Sequence, residues 1–366
     1  MEPHETDRSA DAATPPAAAP PSAALHAALL IALAQPDERE LAALREQQQA
    51  RPGTSPLGAE GVRPATRERL AQLEFAGAAE AEAARAAAQG LVLIDWNDAR
   101  YPAPLHDLAG PPALLYVRGR GELPTAHAIA IVGARASTAR GRAFAHALGA
   151  GVAQRGGTVV SGLAIGIDQA ALEGALAEEG RCCAVLACGL DQVYPPGARP
   201  LAERLLERGT LVSEMPIGTP PYKNHFPRRN RLLAALARAT LVIEADLHSG
   251  SLVTARRAAE LGRAVHAVPG AIDATVSRGT NRLIRDGAHP LLEVGDLDLL
   301  LPGGAPRVPS GDELLRELAS PRAAEELATR CRRPLDRVLL QLVELEANGR
   351  VERLGGGLYV RRGAAP

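Results

Sequence analysis

The stretch AIAIVGARAST, residues 128–138, begins the pattern that decides the fold. Its first five residues are apolar and suit one buried strand, and Gly133 permits a tight turn into a helix predicted over 139–154. Similar short runs recur along the chain, each before a helical segment: TVVSG, CCAVLACG, TLVSEMP, TLVIEA and AVHAVPG. Strands that alternate with helices in this way predict a doubly wound, mostly parallel, Rossmann-like α/β sheet.

The later helices of this alternation are predicted over 167–179, 198–207, 228–238, 251–261 and 280–287. In an open sheet of this kind, the ligand binds in a crevice beyond the carboxyl ends of the parallel strands. We therefore expect the functional residues in the loops that lead from each strand into the next helix.

Regions of different composition precede the alternation. Residues 1–22 are acidic and rich in Ala and Pro, which is typical of a disordered tail. Residues 23–92 carry the Ala, Leu, Glu and Arg pattern of a small helical (SAM-like) domain. The Rossmann-like domain, predicted over 93–298, begins with an extended connector that contains several prolines and the only tryptophan.

A linker over 299–311 leads to a second predicted domain over 312–362. Helices are expected at 312–318, 321–329 and 334–348, followed by the hairpin RVERLGGGLYVRR. Three short helices and a two-stranded wing are typical of a winged helix. Some winged helices bind DNA, whereas others bind only proteins. Both interpretations stay open here.

Composition limits the kinds of function that the chain can have. The formal net charge is -1, so any nucleic-acid site must be a local basic patch rather than a global field. No apolar run approaches the ~20 residues that span a bilayer. The four cysteines form no C-x-x-C pair. We therefore expect a cytoplasmic protein with buried thiols, no metal and no contact with the membrane.

The segment YKNHFPRRNR, residues 222–231, concentrates rare residue types. Lys223 is the only lysine of the chain, and Phe226 is one of three phenylalanines. Lysine is a compact phosphate contact, and an aromatic ring in a polar loop can stack an unpaired base, which contributes ~1–3 kcal/mol per base. The arginines that follow cannot all face one way, so we expect one or two of them to bind phosphate. A lid loop packed by Phe226 is the alternative.

Four further strand-end loops carry small residues at predicted helix starts: 132–138, which includes Arg135, 161–168, 244–255 and 268–284. Backbone amides at such turns bind anions, and arginine binds phosphate through two parallel hydrogen bonds. One such turn alone is equally consistent with a tight connection, whereas several on one sheet edge predict a surface that accepts several phosphates. The residues concerned are Gly133, Arg135, Ser161, Gly162, Ser249, Gly250 and Ser251.

Several of these segments, in this order, resemble the DNA-processing protein A (DprA/Smf) family. They include VGARAST, SGLAIGIDQAALEGAL, AVLACGLDQVYPPG, LVSEMPIGTPPYKNHFPRRNRLLAAL and EADLHSGSLVTARRAAELGRAVHAVPG. The resemblance covers residues 93–290, and its most specific elements are FPRRNR and SGSLVTA. A C-terminal winged helix is also found in many members.

This resemblance implies a non-catalytic protein without a cofactor, which binds single-stranded DNA in a basic pocket of the Rossmann-like domain. It also implies that the protein loads a RecA-type recombinase, notably during natural transformation, and forms a homodimer, to which we expect residues 281–294 to contribute. By resemblance, Arg135, Lys223 and Phe226 contact DNA. The full set of predicted DNA-binding residues is Gly133, Arg135, Ser161, Gly162, Lys223, Phe226, Arg228, Asn230, Arg231, Ser249, Gly250 and Ser251.

An enzyme of the phosphoribohydrolase (lysine-decarboxylase-like) superfamily is the alternative. Its P-G-G-x-G-T-x-x-E motif is not found, since residues 268–284 have other spacing and no glutamate. Asp168 and Glu244 are the strand-end carboxylates to test for a catalytic role. For Asp168 we favour a structural role as a helix N-terminal cap or dipole partner. The only lysine follows Tyr222, which excludes a P-loop, and GARAST lacks the later glycines of a dinucleotide-binding turn.

Overall fold

The computed structural model describes residues 20–301 apart from 120–122 and 125–126, and residues 314–362 apart from 316, 332–333 and 348. Most of the predicted tail at 1–22 and of the predicted linker at 299–311 therefore lies outside the described residues.

Strands and helices alternate from residue 92 onward as the sequence predicts. The strands are β1 (Val92–Asp95), β2 (Leu114–Gly119), β3 (Ala128–Val132), β4 (Thr158–Ser161), β5 (Arg181–Val185), β6 (Thr210–Ser213), β7 (Ala239–Val242), β8 (Ala264–Ala267) and β9 (His289–Pro290). The helices up to residue 301 are α1 (Ala23–Ala34), α2 (Glu38–Ala50), α3 (Pro64–Phe75), α4 (Ala78–Ala88), α5 (Ala139–Gln154), α6 (Ile167–Ala177), α7 (Arg199–Arg208), α8 (His225–Leu236), α9 (Ser251–Glu260), α10 (Arg278–Arg285) and α11 (Leu297–Leu300).

The strands form one sheet in the order β1-β2-β6-β5-β4-β3-β7-β8-β9. Strands β3 to β9 pair in parallel, whereas β1 and β2 extend one edge with antiparallel pairing. The doubly wound, mostly parallel fold is therefore confirmed. The strand order reverses between β3 and β7, so the crevice in which such sheets bind ligands lies between the loops that follow these two strands.

Helices α1–α4 share the hydrophobic core of the sheet. Leu29 and Leu30 of α1, Leu44 of α2 and Leu70 of α3 are buried in the same cluster as Ile94 of β1. Burial of apolar side chains against a common core stabilises both parts at about 25 cal/mol for each Å² removed from water. The helical region predicted over 23–92 is thus packed directly on the sheet.

Helix α8 begins three residues earlier than the sequence predicts. It runs from His225, so Phe226 lies in the first helical turn and not in a loop. Pro227 made the segment resemble a loop, but proline is tolerated in the first turn, where its missing N–H would have no helical partner anyway. The helix therefore holds Phe226 at a fixed position on the edge of the sheet.

The C-terminal residues fold into a winged helix, which confirms that prediction. Helices α12 (Ala324–Arg330) and α13 (Leu335–Ala347) pack with a small sheet of strands β10 (Arg322–Ala323), β11 (Val351–Arg353) and β12 (Leu358–Arg361), and residues 314, 315 and 317 are also helical. The domain has a core of its own, formed by side chains such as Leu327, Val338, Leu342, Val351 and Tyr359.

Candidate nucleic-acid interface

Two of the residues singled out in the sequence meet at the carboxyl edge of the sheet. Arg135, in the loop after β3, places its guanidinium carbon 4.9 Å from the centre of the Phe226 ring at the start of α8. A cation over an aromatic face at this distance contributes about 0.5–1 kcal/mol at an exposed site. Arg135 and Lys223 are exposed, and Phe226 is half-buried. A flat ring and two cations are therefore presented together to solvent.

Two tyrosines that the sequence patterns did not single out enlarge this surface. The Tyr194 ring lies edge-on to Phe226, with 5.7 Å between the ring centres. Tyr222 is 57% exposed and packs edge-on against His225, at 5.3 Å between ring centres. The rarity of aromatic residues, at 2% of the chain, is the signal that could have found them. We call Arg135, Tyr194, Tyr222, Lys223 and Phe226 the edge cluster.

Arg231 and Asn230 do not belong to this surface, which corrects the prediction that they contact DNA. The Arg231 side chain is 1% exposed, pairs with the buried carboxylate of Glu214, and donates to the Gly110 carbonyl at 2.8 Å. Asn230 is also buried and donates to the Gly250 carbonyl at 3.1 Å. The charge and hydrogen-bonding groups of these residues are used inside the protein.

Arg228 and Arg229 are likewise engaged by protein groups. Arg228 lies 3.3 Å from the Glu214 carboxylate and keeps a fifth of its side chain exposed. Arg229 is buried and donates to the carbonyls of Gly162, at 2.9 Å, and Val185. Burial lowers the pKa of Arg229 to about 10, although the Asp168 carboxylate beside it opposes that shift. Arg229 thus remains a cation at neutral pH.

The anion nest predicted at Ser161 and Gly162 is already filled by the protein itself, which corrects that assignment. The Gly162 N–H donates to the Asp168 carboxylate at 3.0 Å, and the Ser161 hydroxyl donates to the Ile131 carbonyl at 2.7 Å. Burial raises the pKa of Asp168 against the opposing effect of Arg229. Asp168 therefore orders the loop before α6 from the first turn of that helix, but it does not cap the helix, whose N-cap residue is Gly166.

Glu244 occupies the start of α5, which is another position where backbone amides could bind an anion. Its carboxylate accepts hydrogen bonds from the N–H and the hydroxyl of Thr138. Gly133 is needed beside it, because a Cβ there would lie 2.6 Å from Ile167 and 3.0 Å from the Glu244 carbonyl oxygen. Both strand-end carboxylates that the sequence singled out thus have structural contacts.

The turn at residues 249–251 is only partly open to solvent. The hydroxyls of Ser249 and Ser251 lie 2.8 Å apart, and Gly250 is exposed at the start of α9. The Gly250 carbonyl is fixed by Asn230, which connects this turn to α8. Within this turn, Gly250 is therefore presented to solvent, whereas Ser251 is buried.

One helix of the winged helix has an apolar outward surface. Helix α13 exposes the apolar side chains of Leu335, Leu339, Leu340 and Val343. A helix that reads the major groove would instead present polar and basic groups to the bases and phosphates. The described residues of α13 therefore suit contact with protein better than contact with DNA.

Among the described residues, no group of three or more His, Cys, Asp or Glu side chains could hold a metal ion. In the same part of the chain, no helix is both long and apolar enough to cross a membrane.

The fold and the edge cluster define a Rossmann-like protein with a cationic and aromatic surface at the carboxyl ends of its parallel strands. Residues 92–300 match the family described as DNA recombination-mediator protein A, and residues 309–357 match the DprA winged helix domain. The chain belongs to the DNA recombination-mediator protein A family, which confirms the resemblance seen in the sequence.

Individual relatives extend this comparison. Protein Smf of Synechocystis sp. is 38% identical over 59% of this chain, and the match spans only 55% of that relative's length. The X-ray structure of DNA processing protein A from Streptococcus pneumoniae matches with a TM-score of 0.67 and 30% identity, over 75% of this chain and 96% of that one. DNA processing protein A from Helicobacter pylori, whose structure describes a single-stranded DNA binding mode, matches with a TM-score of 0.52 and 28% identity, over 58% and 95%.

Proposed function

We propose that this protein binds single-stranded DNA through the edge cluster and acts as a non-catalytic mediator of DNA recombination. The observation that carries the proposal is the contact between Arg135 and Phe226, with the exposed Lys223 three residues before Phe226 in the chain. This arrangement joins phosphate-binding cations to a ring that can stack a base, which is the chemistry that single strands require. The relative from Helicobacter pylori supports the same ligand.

Phosphates and a base would be held by different members of the edge cluster. Arg135 and Lys223 neutralise neighbouring phosphates, and counterion release makes the affinity depend on salt. Phe226 stacks one base, and the exposed ring of Tyr222 offers a second platform beside it. Paired bases are buried inside a duplex and cannot reach these rings, so duplex DNA binds less tightly.

The proposal includes assembly and a partner. Loading of a RecA-type recombinase fits a recombination mediator, and natural transformation is one setting in which incoming single strands need that step. A homodimer through the Rossmann-like domain would use residues 281–294, where Leu292 is an exposed apolar side chain. Exposed apolar side chains are common at contacts between copies of a chain.

The contacts of Asp168 and Glu244 favour a binding protein over a phosphoribohydrolase. A general acid or base must have a proton-accepting atom directed at the substrate. Asp168 instead accepts from the amides of Gly162 and Ala164, and Glu244 accepts from Thr138. These internal bonds supply a structural reason for both carboxylates.

Fluorescence anisotropy of a labelled single strand across a salt series tests the proposal, with a matched duplex as the competitor. The Lys223→Ala variant should bind more weakly, and its log–log salt dependence should be shallower by ~0.7, because the protein neutralises one phosphate fewer. Lys223→Arg keeps the charge and should bind nearly as well as the wild type. Equal affinity for duplex and single strand, or an unaffected Lys223→Ala variant, would overturn the proposal.

A further inference from the structure

The loop that carries Lys223 is held by the N-terminal helices. We call residues 214–224, between β6 and α8, the approach loop. Glu82 of α4 is fully buried, and its carboxylate accepts the Ile217 N–H of this loop at 2.8 Å. Its other oxygen accepts from the Arg85 guanidinium. A buried carboxylate without partners is costly, so these contacts fix Glu82 and Ile217 relative to each other.

The next residues of the approach loop are held by the segment after β5. The Gly218 N–H donates to the Asp191 carboxylate at 2.9 Å, and the Thr219 carbonyl accepts the Gly189 N–H at 2.9 Å. Residues 189–191 lead directly to Tyr194 of the edge cluster. The approach loop thus lies between α4 and the segment that positions Tyr194.

A second group of contacts joins α2, through Arg231, to the start of the approach loop. Glu38 of α2 lies 4.0 Å from the buried Arg231 guanidinium and 2.9 Å from that of Arg257. Arg231 in turn pairs with Glu214, the first residue of the approach loop. The connector is tightly packed here, because a Cβ on Gly110 would lie 2.2 Å from the Glu38 carbonyl oxygen.

From these contacts we infer that the N-terminal helices position the DNA-binding surface, and that Glu82 is the positioning residue. The inference rests on the function proposed above. Glu82 lies under the approach loop rather than at its exposed end, so it acts through Ile217 on Lys223 and Tyr222. Fixing the loop before DNA arrives removes the entropy loss that ordering it on binding would require. The helical region thereby acquires a role in DNA binding without touching DNA.

Substitution of Glu82 tests this role with three variants. Glu82→Ala removes the acceptor of the Ile217 N–H and should weaken single-strand binding roughly tenfold, because the loop must then be ordered when DNA binds. Glu82→Gln keeps a carbonyl acceptor and should restore most of the affinity. Glu40→Ala is the matched control, because Glu40 is also buried in the N-terminal helices but bonds to Arg63.

The double variant separates positioning from general destabilisation. Glu82→Ala should keep the wild-type salt slope, because Lys223 still neutralises its phosphate once the loop is ordered, whereas the double variant should bind no more weakly than the weaker single one. Wild-type affinity in Glu82→Ala, or an equal loss in Glu40→Ala, would refute the inference. If Lys223→Ala weakens binding and Glu82→Ala does not, only this inference fails. If neither variant weakens binding, the proposed function fails.

Hydrogen exchange of the wild-type protein gives a result even if Glu82→Ala does not fold. The Ile217 and Gly218 amides should exchange slowly in the absence of DNA, because both donate to carboxylates in the folded protein. Exchange as fast as that of an exposed turn would contradict a loop held in place before binding.

Discussion

Glu244 binds Thr138 across the crevice in which sheets of this kind hold their ligands. Its carboxylate accepts the Thr138 N–H at 2.8 Å and the Thr138 hydroxyl at 2.5 Å. Gly141 makes room for it, since a Cβ there would lie 2.3 Å from the Glu244 carboxyl carbon. The positive end of α5 is therefore satisfied by an internal anion. A phosphate bound at this edge of the sheet is better accommodated at the edge cluster, where the cations are exposed.

Removal of this carboxylate should destabilise the fold. We expect Glu244→Ala to lower the free energy of unfolding by about 1–2 kcal/mol, because the start of α5 loses two hydrogen bonds. Denaturant unfolding measures the change, and Glu173→Ala, which alters an exposed glutamate of α6, is the control. Combining Glu244→Ala with Thr138→Val should cost less than the sum of the single changes. Strict additivity would mean that the two residues act independently.

Phe226 should be the aromatic residue on which DNA affinity depends most. We expect Phe226→Ala to weaken single-strand binding by ~1–3 kcal/mol, because one base loses its stacking partner and Arg135 loses the ring beneath it. Competition anisotropy at constant salt measures this loss. Phe75→Ala is a matched control, since Phe75 is 96% exposed and lies on α3. An equal effect of the two substitutions would contradict a specific stacking role.

Local patterns were sufficient to predict the sheet and part of the edge cluster. Helix α5 has the bounds 139–154 that the sequence predicts, because the apolar run before it and the capping Thr138 are neighbours in the chain. Parallel strands bring their carboxyl ends to one edge, which places Arg135 and Phe226 on the same side of the sheet. Strands β5 and β4 separate β6 from β3, so the contact also depends on the long loop that leads from β6 to Phe226.

The partners of the arginines could not be read from the sequence. Whether Arg231 faces solvent or the core depends on Glu214 and Glu38, which lie in other elements. Helical spacing indicates only that the arginines of α8 cannot all point one way. The same reason applies to Gly162, whose amide is taken by Asp168 after a left-handed turn at Leu163. Such pairings depend on tertiary packing, which short-range patterns do not contain.

Acid should weaken the N-terminal helices through Glu40. The hydrogen bond from Arg63 lowers the pKa of Glu40 from 4.5 to about 2. A carboxylate whose pKa is lower in the folded than in the unfolded protein stabilises the fold above the unfolded pKa, and this stabilisation disappears as pH falls through the folded pKa. The free energy of unfolding should therefore fall between about pH 4.5 and 2.

Substitution of Glu40 isolates that contribution. Glu40→Gln should be less stable than the wild type at neutral pH, and the difference between them should shrink as pH falls towards 2. Unfolding followed by circular dichroism over this range measures the difference. Glu60→Gln, at an exposed glutamate, serves as the control. A difference that stays constant with pH would show that the ionised carboxylate is not what stabilises the fold.

Arg231 and Lys223 should give opposite results, although they lie eight residues apart in the same basic segment. Arg231→Ala leaves the buried Glu214 with only Arg228, which is itself a fifth exposed, so we expect the free energy of unfolding to fall by about 3–5 kcal/mol. Changing Glu214 to Ala as well should recover part of that loss, because the uncompensated charge is removed. Lys223→Ala should leave stability unchanged within about 0.5 kcal/mol, as an exposed substitution does, and weaken DNA binding. Urea unfolding and anisotropy on the same preparations separate the two effects. A stable Arg231→Ala variant with weakened DNA binding would return Arg231 to the binding surface that the sequence suggested.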